Sequence, residues 1–183
     1  MNETLAVLDA DFLNKINDIK KADPDALFHK LMTELNCTPV VHPFVMDHEL
    51  FACGLAQRLR ASSALRRVDY SEFLPEDKRQ RYEQQFRDLY RALTAEEYGQ
   101  SIEADSDIFA RHAGKSYGEV HSVLMANQMG IPVFYSNDHG GKVLCRRFRH
   151  LDAKTMSDIY KNLSGKPGCS ITTKEWKYLL HNQ

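Results

Sequence analysis

The chain has 183 residues, a formal net charge of −1, 43% hydrophobic residues and 27% charged residues. These proportions are typical of one globular domain with a sizeable core, and they exclude a chain that is basic overall. No apolar run approaches the roughly 20 residues that span a bilayer, so we expect no membrane segment. The four cysteines have neither zinc-site nor disulfide spacing. Because the N-terminal segment also does not resemble a signal peptide, we expect a cytoplasmic protein.

The first third of the chain alternates between strand and helix patterns. The segment "LAVLD" at 5–9 predicts a short buried strand that ends at the carboxylate of Asp9. Helical spacing follows, and Asp23 before Pro24 predicts the N-cap and first residue of a second helix. The segment "TPVVHPFV" at 38–45 is predicted to be extended, because proline does not fit a helix interior. Another helix is expected to begin at Glu49.

The middle of the chain is charged and harder to interpret. The stretch "LRRVDYSEFLP" fits either a strand or a loop. Residues 76–97 predict a charged helix inside an insert that spans about 60–105, with one apolar stripe for packing. A later helix is predicted at 118–129, where Gly130 is its C-cap.

The last third begins with the second clear strand, "IPVFYS" at 131–136. Asp138 is expected at the tip of this strand, and Gly140 and Gly141 predict that the chain turns away directly behind it. The tail predicts two helices, "LDAKTMSDIYKNL" and "TTKEWKYLLHN", joined by the turn "SGKPG".

Alternating strands and helices favour a parallel sheet covered by helices on both faces. We therefore expect one α/β domain, a three-layer α/β/α sandwich with a central, mainly parallel sheet. Its core would occupy about residues 4–150, with a helical insert and a C-terminal helical extension at about 151–183. Right-handed crossovers would bring the C-terminal ends of all strands to one edge of this sheet.

Four carboxylates are candidates for a site at that edge. Asp9 and Asp138 follow the two clearest strands, and Glu49 and Glu119 are expected at the starts of helices. Taken singly, each has an ordinary explanation as a cap, a first-turn acid or a turn residue. Their joint placement indicates a ligand site, because parallel α/β sheets bind ligands at the C-terminal ends of their strands.

The segments "LAVLDADFL", "PFVMDHELF" and "GKSYGEVHSVLMANQMGIPVFYSND" resemble, in their order and character, the motifs of PIN-domain proteins. The resemblance covers about residues 4–145 with a poorly matched middle, and its most specific part runs from Gly114 to Asp138. It implies a PIN-like fold and a metal-dependent nuclease whose substrate is RNA. PIN-like proteins often dimerise, and some are held by protein inhibitors.

Carried over residue by residue, the resemblance implies an acidic quartet that binds the metal and performs catalysis: Asp9, Glu49, Glu119 and Asp138. Asp11 lies where such proteins often have a small polar residue, and Ser136 and Asn137 match the polar strand tip. The chain departs from the family in having Glu119 where aspartate is commoner, and in its long insert and C-terminal extension. These departures leave a toxin role open.

Four carboxylates in one cleft repel one another unless a cation compensates their charge. Mg²⁺ or Mn²⁺ suits such a cleft because both prefer oxygen ligands. A bound ion of this kind can activate water and stabilise charge on a phosphodiester. The quartet therefore predicts a divalent-metal site with Mg²⁺ or Mn²⁺ as cofactor.

A basic rim is the second element that a nuclease needs. The cationic residues that follow or precede the proposed acids in sequence are Lys115, Lys142, Arg146, Arg147 and Arg149. They are expected to hold RNA phosphates, and a solvated charged surface is the alternative. His48, His121 and His139 each neighbour a proposed acid, and a structural or exposed position is the favoured interpretation of all three.

Two other functions stay open. "VLDADFL" and "VFYSN" also resemble the first two motifs of haloacid-dehalogenase-like phosphatases, with Lys142 as the required lysine, but the chain lacks a convincing later acidic pair. A catalytically silent PIN-like interaction module is the alternative without chemistry. Three further acids remain substitutes for Glu49 or for a supporting acid: Asp47, Asp105 and Asp107.

Overall fold

The computed structural model describes residues 4–97, 102, 106–110 and 116–181. In chain order its elements are β1 (Thr4–Leu8), α1 (Ala10–Asn17), α2 (Pro24–Leu35), β2 (Cys37–Val41), a π-helical turn (Val45–Glu49), α3 (Gly54–Ala61), β3 (Arg66–Arg67), α4 (Tyr70–Phe73), a 3₁₀ turn (Glu76–Lys78), α5 (Arg79–Glu97), α6 (Tyr117–Met129), β4 (Val133–Tyr135), α7 (His139–Cys145), β5 (Asp152–Lys154), α8 (Met156–Leu163) and α9 (Thr173–His181). Within the described residues, no helix is both long and apolar enough to cross a bilayer.

The five strands form one all-parallel sheet in the order β3-β2-β1-β4-β5. Val7 in β1 lies opposite Val40 of β2 on one side and Phe134 of β4 on the other. The chain builds outward from β1 to β3, returns to the other side of β1 and then builds outward to β5. The strand order therefore reverses between β1 and β4, which confirms the predicted parallel α/β class and marks this edge for ligand binding.

Helices cover both faces of the sheet, an arrangement compatible with three layers. Alternate strand residues point to opposite faces: Leu8 belongs to a core packed by α1, α2, α3, α8 and α9. Val7 and Phe134 belong to a second core packed by α5, α6 and α7. Burial of both faces explains why the strands are continuous apolar runs rather than alternating patterns.

Local capping signals placed several helices where the sequence predicted them. The Asp23 carboxylate accepts a hydrogen bond from Asp25 N–H at 3.0 Å, and Pro24 is the first residue of α2. The helix predicted at 118–129 is α6, which ends at Gly130 with φ of 65°. Glycine adopts this left-handed conformation without the strain that most other residues would have, so it suits the end of the helix.

The prediction for Glu49 was wrong in its local structure. The extended segment stops at Val41, and the chain then winds into a π-helical turn in which Leu50 N–H donates to Val45 C=O at 2.9 Å. Glu49 is the last residue of this turn rather than the first residue of a helix, and α3 begins only at Gly54. Wide turns of this type are common at functional sites.

The prediction for the segment around Asp138 was also wrong in part. The strand ends at Tyr135, and Asp138 is the N-cap of α7, three residues further on. Gly140 and Gly141 are helical residues of α7 and do not form the predicted turn. Gly140 allows α7 to pack closely against Glu119, because a Cβ at this position would lie 2.7 Å from Glu119 Oε2.

The C-terminal region differs from its prediction because a strand precedes its first helix. Residues 152–154, predicted to be helical, form β5 at the edge of the central sheet beside β4. α8 then begins after Thr155, whose hydroxyl accepts a hydrogen bond from Asp158 N–H. The region after residue 150 thus completes the sheet as well as adding helices.

Candidate functional site

The C-terminal ends of β1 and β4 open into a cavity of about 560 Å³ where the strand order reverses. Asp9 follows β1 directly and ties the two strands together, because its N–H donates to Tyr135 C=O at 3.0 Å. The residues that line the cavity are Asp9, Ala10, Asp11, Asn14, Glu49, Ser116, Glu119, Asp138, His139 and Gly140. Five of these ten residues carry a carboxylate, and we call this space the acidic cavity.

A hydrogen-bond network fixes Asp9 and Asp11 against the loop after β4. The Ser136 hydroxyl donates to Asp9 Oδ2 at 3.1 Å and lies 3.4 Å from Asp11 Oδ1. Asn137 N–H donates to Asp11 Oδ2 at 2.7 Å, and Asp138 N–H donates to Ser136 Oγ at 3.2 Å. Ser136 and Asn137 therefore lie behind the acidic cavity, where they orient the carboxylates that line it.

Glu49 reaches the acidic cavity from the π-helical turn. Its Oε1 accepts a hydrogen bond from Gly118 N–H at 3.1 Å, at the start of α6. A Cβ on Gly118 would collide with the Glu49 carboxylate, so the glycine makes room for this approach. The helix start provides a positive partial charge that favours an anion at this position.

Glu119 extends from the first turn of α6 and is only 6% exposed. Its Oε1 is buried and has no hydrogen-bond partner among the described residues. Gly140 of α7 lies against the other oxygen of the same carboxylate. A buried carboxylate oxygen without a donor is costly, and a proton, a water or a cation at this oxygen would each reduce that cost.

Burial and mutual repulsion favour the protonated forms of four carboxyl groups in the acidic cavity. Burial, together with repulsion from Asp11, Glu119 and Glu49, raises the pKa of Asp9 well above its ordinary value. Burial raises the pKa of Glu49 to about 7 and that of Glu119 to about 7, although hydrogen bonds to each carboxylate partly oppose the rise. Burial and repulsion from Asp138 also raise the pKa of Asp11. A cation would relieve this repulsion.

The donor chemistry of the acidic cavity fits a hard divalent cation, because its ligands are carboxylate oxygens and one of them is buried and unpartnered. The spacing is not that of a closed metal centre. Within residues 4–97, 102, 106–110 and 116–181, no three Asp, Glu, His or Cys side chains are close enough to hold one ion as they stand. Binding would therefore require these side chains to move toward the ion.

None of the predicted basic residues that the structure describes lines the acidic cavity. Arg146 caps the far end of α7 and lines a different cavity, and the exposed Arg147 lines neither. Lys142 also lines the second cavity. Lys115 lies outside the described residues. The described basic side chains therefore form no rim beside Asp138, and their binding of RNA phosphates stays a prediction.

The two substitute acids that the structure describes, Asp47 and Asp107, do not line the acidic cavity. Asp47 accepts hydrogen bonds from the Arg67 guanidinium, the shortest at 2.7 Å. Asp107 accepts from Phe109 N–H at 2.9 Å, and Asp105 lies outside the described residues. Glu49 is the acid from this part of the chain that lines the cavity.

The histidines divide between core and cavity. His121 is fully buried and belongs to a network with Tyr82 and His42, in which the Tyr82 hydroxyl lies 2.9 Å from His121 Nδ1 and 3.4 Å from His42 Nε2. His48 packs against Phe44. His139 alone among the three candidate histidines lines the acidic cavity in the described part of the chain, at its exposed rim.

Sequence reasoning missed two polar residues of the acidic cavity, Asn14 and Ser116. Asn14 lies three residues after Asp11 on α1, and this spacing puts both on one face of the helix. That signal was present in the sequence but is also typical of a solvated helix face. Ser116 precedes α6 with φ of 69°, a left-handed conformation that no pattern in the sequence predicts.

The fold and the acidic cavity define a class: a parallel α/β protein with a carboxylate-lined cavity at its topological switch point. No protein-family model, curated protein or solved structure matches the chain.

Proposed function

We propose that the chain is a PIN-like, three-layer α/β/α protein and a divalent-metal-dependent phosphodiesterase that hydrolyses RNA. One observation carries the chemistry: five carboxylates from separate segments line one open cavity, and Glu119 Oε1 among them is buried without a partner. RNA as the substrate rests on the resemblance of the strand-end and helix-start motifs to those of PIN-domain nucleases.

Four residues would hold the ion: Asp9, Glu49, Glu119 and Asp138. Bound Mg²⁺ or Mn²⁺ would supply Lewis acidity and an activated water, so the reaction needs no side-chain nucleophile. Asp9 is held in place by the Ser136 hydroxyl, and Glu49 by Gly118 N–H. Asp138, which is exposed, would approach the ion from the rim of the acidic cavity.

Without metal, Glu49 and Glu119 are partly protonated at neutral pH, because burial raises the pKa of each to about 7. A bound cation would favour their charged forms, so the ion and protons would compete for these two carboxylates.

The test is cleavage of labelled single-stranded RNA with Mn²⁺ by the native protein and by Asp138→Asn. We expect activity to require the metal and to fall by about a hundredfold or more in the variant, the order of magnitude for one lost catalytic group. Asp77→Asn is the matched control, because Asp77 is exposed on the 3₁₀ turn and does not line the cavity. Equal activity in all three preparations would refute the proposal.

The phosphatase alternative is weakened by Lys142. Its Nζ bonds to Asp158 Oδ2 at 3.0 Å and the residue lines the second cavity rather than the acidic one. It therefore does not face Asp9, where a phosphoryl group would be attached.

The silent interaction module is favoured by one observation, the absence of a preformed three-ligand cluster among the described residues. A thermal-unfolding titration separates the two functions. A midpoint that rises with Mn²⁺ in the native protein but not in Asp138→Asn supports the metal site, and no rise in either supports the silent module.

A further inference from the structure

A second cavity, of about 670 Å³, lies along the edge strand β5 between α7 and α8. Four cationic side chains and two carboxylates contribute its charges: Lys142, Arg146, Arg149, Lys154, Asp152 and Asp158. We call this space the basic cavity. It is a local concentration of positive charge on a chain whose net charge is −1.

The two arginines carry the unbalanced charge of the basic cavity. Lys142 bonds to Asp158 at 3.0 Å, and Lys154 lies 3.8 Å from Asp152, so each carboxylate already has a lysine partner. Arg146 and Arg149 are exposed and form no ion pair within the described part of the chain.

Some other surface arginines are paired within the protein, although the exposed Arg81 and Arg91 of α5 form no ion pair in the described part of the chain. Arg66 pairs with Glu72 at 2.6 Å, and Arg67 pairs with Asp47 at 2.7 Å. Their charges are compensated inside the protein. Two uncompensated guanidinium groups beside one cavity are therefore a feature of the basic cavity, and a guanidinium binds phosphate oxygens in a two-pronged geometry.

Helix α7 connects the two cavities. Its first residues, His139 and Gly140, line the acidic cavity, and Lys142, Cys145 and the capping Arg146 line the basic cavity. Seven helical residues span about 10 Å along the axis. At about 3.4 Å per nucleotide, the per-strand rise of duplex DNA, this separation corresponds to about three stacked nucleotides, and to fewer if the single strand is extended.

We propose that the basic cavity binds the backbone phosphates of a single nucleic-acid strand about three nucleotides from the phosphodiester held in the acidic cavity. The inference rests on the proposed phosphodiesterase function, since a chain of phosphodiesters is a ligand that can occupy both cavities at once. Arg146 and Arg149 bind the phosphates. The half-buried Phe148, which also lines the cavity, offers a ring on which an unpaired base stacks.

The test measures binding of a fluorescent 12-nucleotide single strand in EDTA, where cleavage is blocked. The variant Arg146→Glu/Arg149→Glu is compared with Arg81→Glu/Arg91→Glu, an equal charge change at exposed positions on α5 outside both cavities. We expect the first variant to bind at least about tenfold more weakly and the control to bind within about twofold of the native protein. The slope of log affinity against log salt should fall by about 1.4 in the first variant only, for two lost phosphates.

Strand length provides the second measurement. Because the metal-free carboxylates of the acidic cavity repel a phosphodiester, a dinucleotide in EDTA would bind in the basic cavity, and the arginine variant should keep its disadvantage on this short strand. Equal weakening in both variants, unchanged binding in the arginine variant, or no binding by the native protein would each overturn the proposal. Binding in EDTA does not depend on catalysis, so this result is independent of the Mn²⁺ cleavage assay that tests the proposed function.

Discussion

At the level of single residues, the fold raises the pKa values of Glu49 and Glu119 from the acidic into the neutral range. Each is held in the acidic cavity at a pKa of about 7, and burial is the largest cause in both cases. Below neutral pH they are largely uncharged in the folded protein without metal. Above it they repel the other carboxylates of the same cavity.

This ionisation predicts how stability depends on pH without metal. The pKa of Glu119 is raised from 4.5 to about 7 by folding, so its contribution is fully present below about 4.5 and is lost as the pH rises through about 7. Urea unfolding in EDTA should therefore show Glu119→Gln to be more stable than the native protein at pH 8 but not at pH 5. His42, whose pKa is lowered by burial, acts in the opposite direction but equally in both proteins. If the free energies of unfolding of the two proteins differ by the same amount at pH 5 and at pH 8, the prediction is wrong.

The predictability of the site varied from residue to residue. Asp9 and Asp138 could be anticipated because parallel strands end at a common edge. Glu119 could be anticipated from its place in the first turn of α6. Asn14 could not be separated from an ordinary solvated helix position, and Glu49 reaches the cavity through a π-helical turn that the apolar sequence around it does not signal.

At the level of elements, α7 owes its close packing to a glycine. Glycine inside a helix ordinarily destabilises by about 0.5–1 kcal/mol relative to alanine, so Gly140 needs a local reason. That reason is the Glu119 carboxylate, whose Oε2 would lie 2.7 Å from an added Cβ.

We predict that Gly140→Ala displaces Glu119 and lowers Mn²⁺-dependent RNA cleavage by about tenfold or more, as for other residues that orient metal ligands. Gly165→Ala is the control, because a Cβ there meets no atom within 4 Å. Single-turnover cleavage rates of Gly140→Ala and Gly165→Ala test this prediction. If the rate for Gly140→Ala equals that of its control, Glu119 does not depend on this close approach.

Helix α5, in the charged insert, contributes a polar group to the core beneath β2. Phe44 N–H donates to His42 Nδ1 at 3.0 Å, which leaves His42 Nε2 as the protonated nitrogen facing the Tyr82 hydroxyl. That hydroxyl can then donate to His121 Nδ1. Both rings are satisfied as neutral imidazoles, so the network suits a fully buried position.

Tyr82→Phe should accordingly lower the free energy of unfolding by about 1–3 kcal/mol, the cost of withdrawing a buried hydrogen-bonding group. Tyr160→Phe, at a partly exposed position, should change it by less than about 0.5 kcal/mol. Urea unfolding at pH 7.5 measures both. A loss no larger than that of Tyr160→Phe would show that the hydroxyl adds nothing to the core.

The elements that the sequence did not predict were short. β5 has three residues, "DAK", too few to show any periodicity, and only its pairing with β4 defines it as a strand. β3 has two. The longer elements were predictable because their caps and apolar stripes are local signals, as Asp23, Pro24 and Gly130 illustrate.

At the level of the whole molecule, the region after residue 150 is part of both the sheet and one core. It supplies β5 and the buried residues Met156, Ile159, Leu163, Trp176 and Leu179. Removing these would expose the apolar faces of α1 and α2, which belong to the same core. The parallel α/β class was predictable from the alternating strands and helices. The dependence of the core on the residues after 150 was not predictable, because the sequence of the tail alone indicates a separate pair of helices.

We therefore predict that a chain of residues 1–150 does not unfold cooperatively, and that Trp176→Ala alone costs about 3–5 kcal/mol. Thermal unfolding followed by circular dichroism measures both. Lys177→Ala, at the next position of α9 but exposed rather than in the core, is the comparison for the point variant. A native-like unfolding transition in the shortened chain would show that the core folds without the region after residue 150.

The pairing of β1 with β4 also has a consequence for the timing of synthesis. Asp9 and Ser136, joined by a hydrogen bond, are 127 residues apart in the chain. A ribosome adds about 5–20 residues per second, so Asp9 waits several seconds before its partner is made. During that interval the acidic cavity does not exist. For the proposed nuclease, this order of synthesis would delay any cleavage of the messenger from which it is translated until most of the chain has emerged.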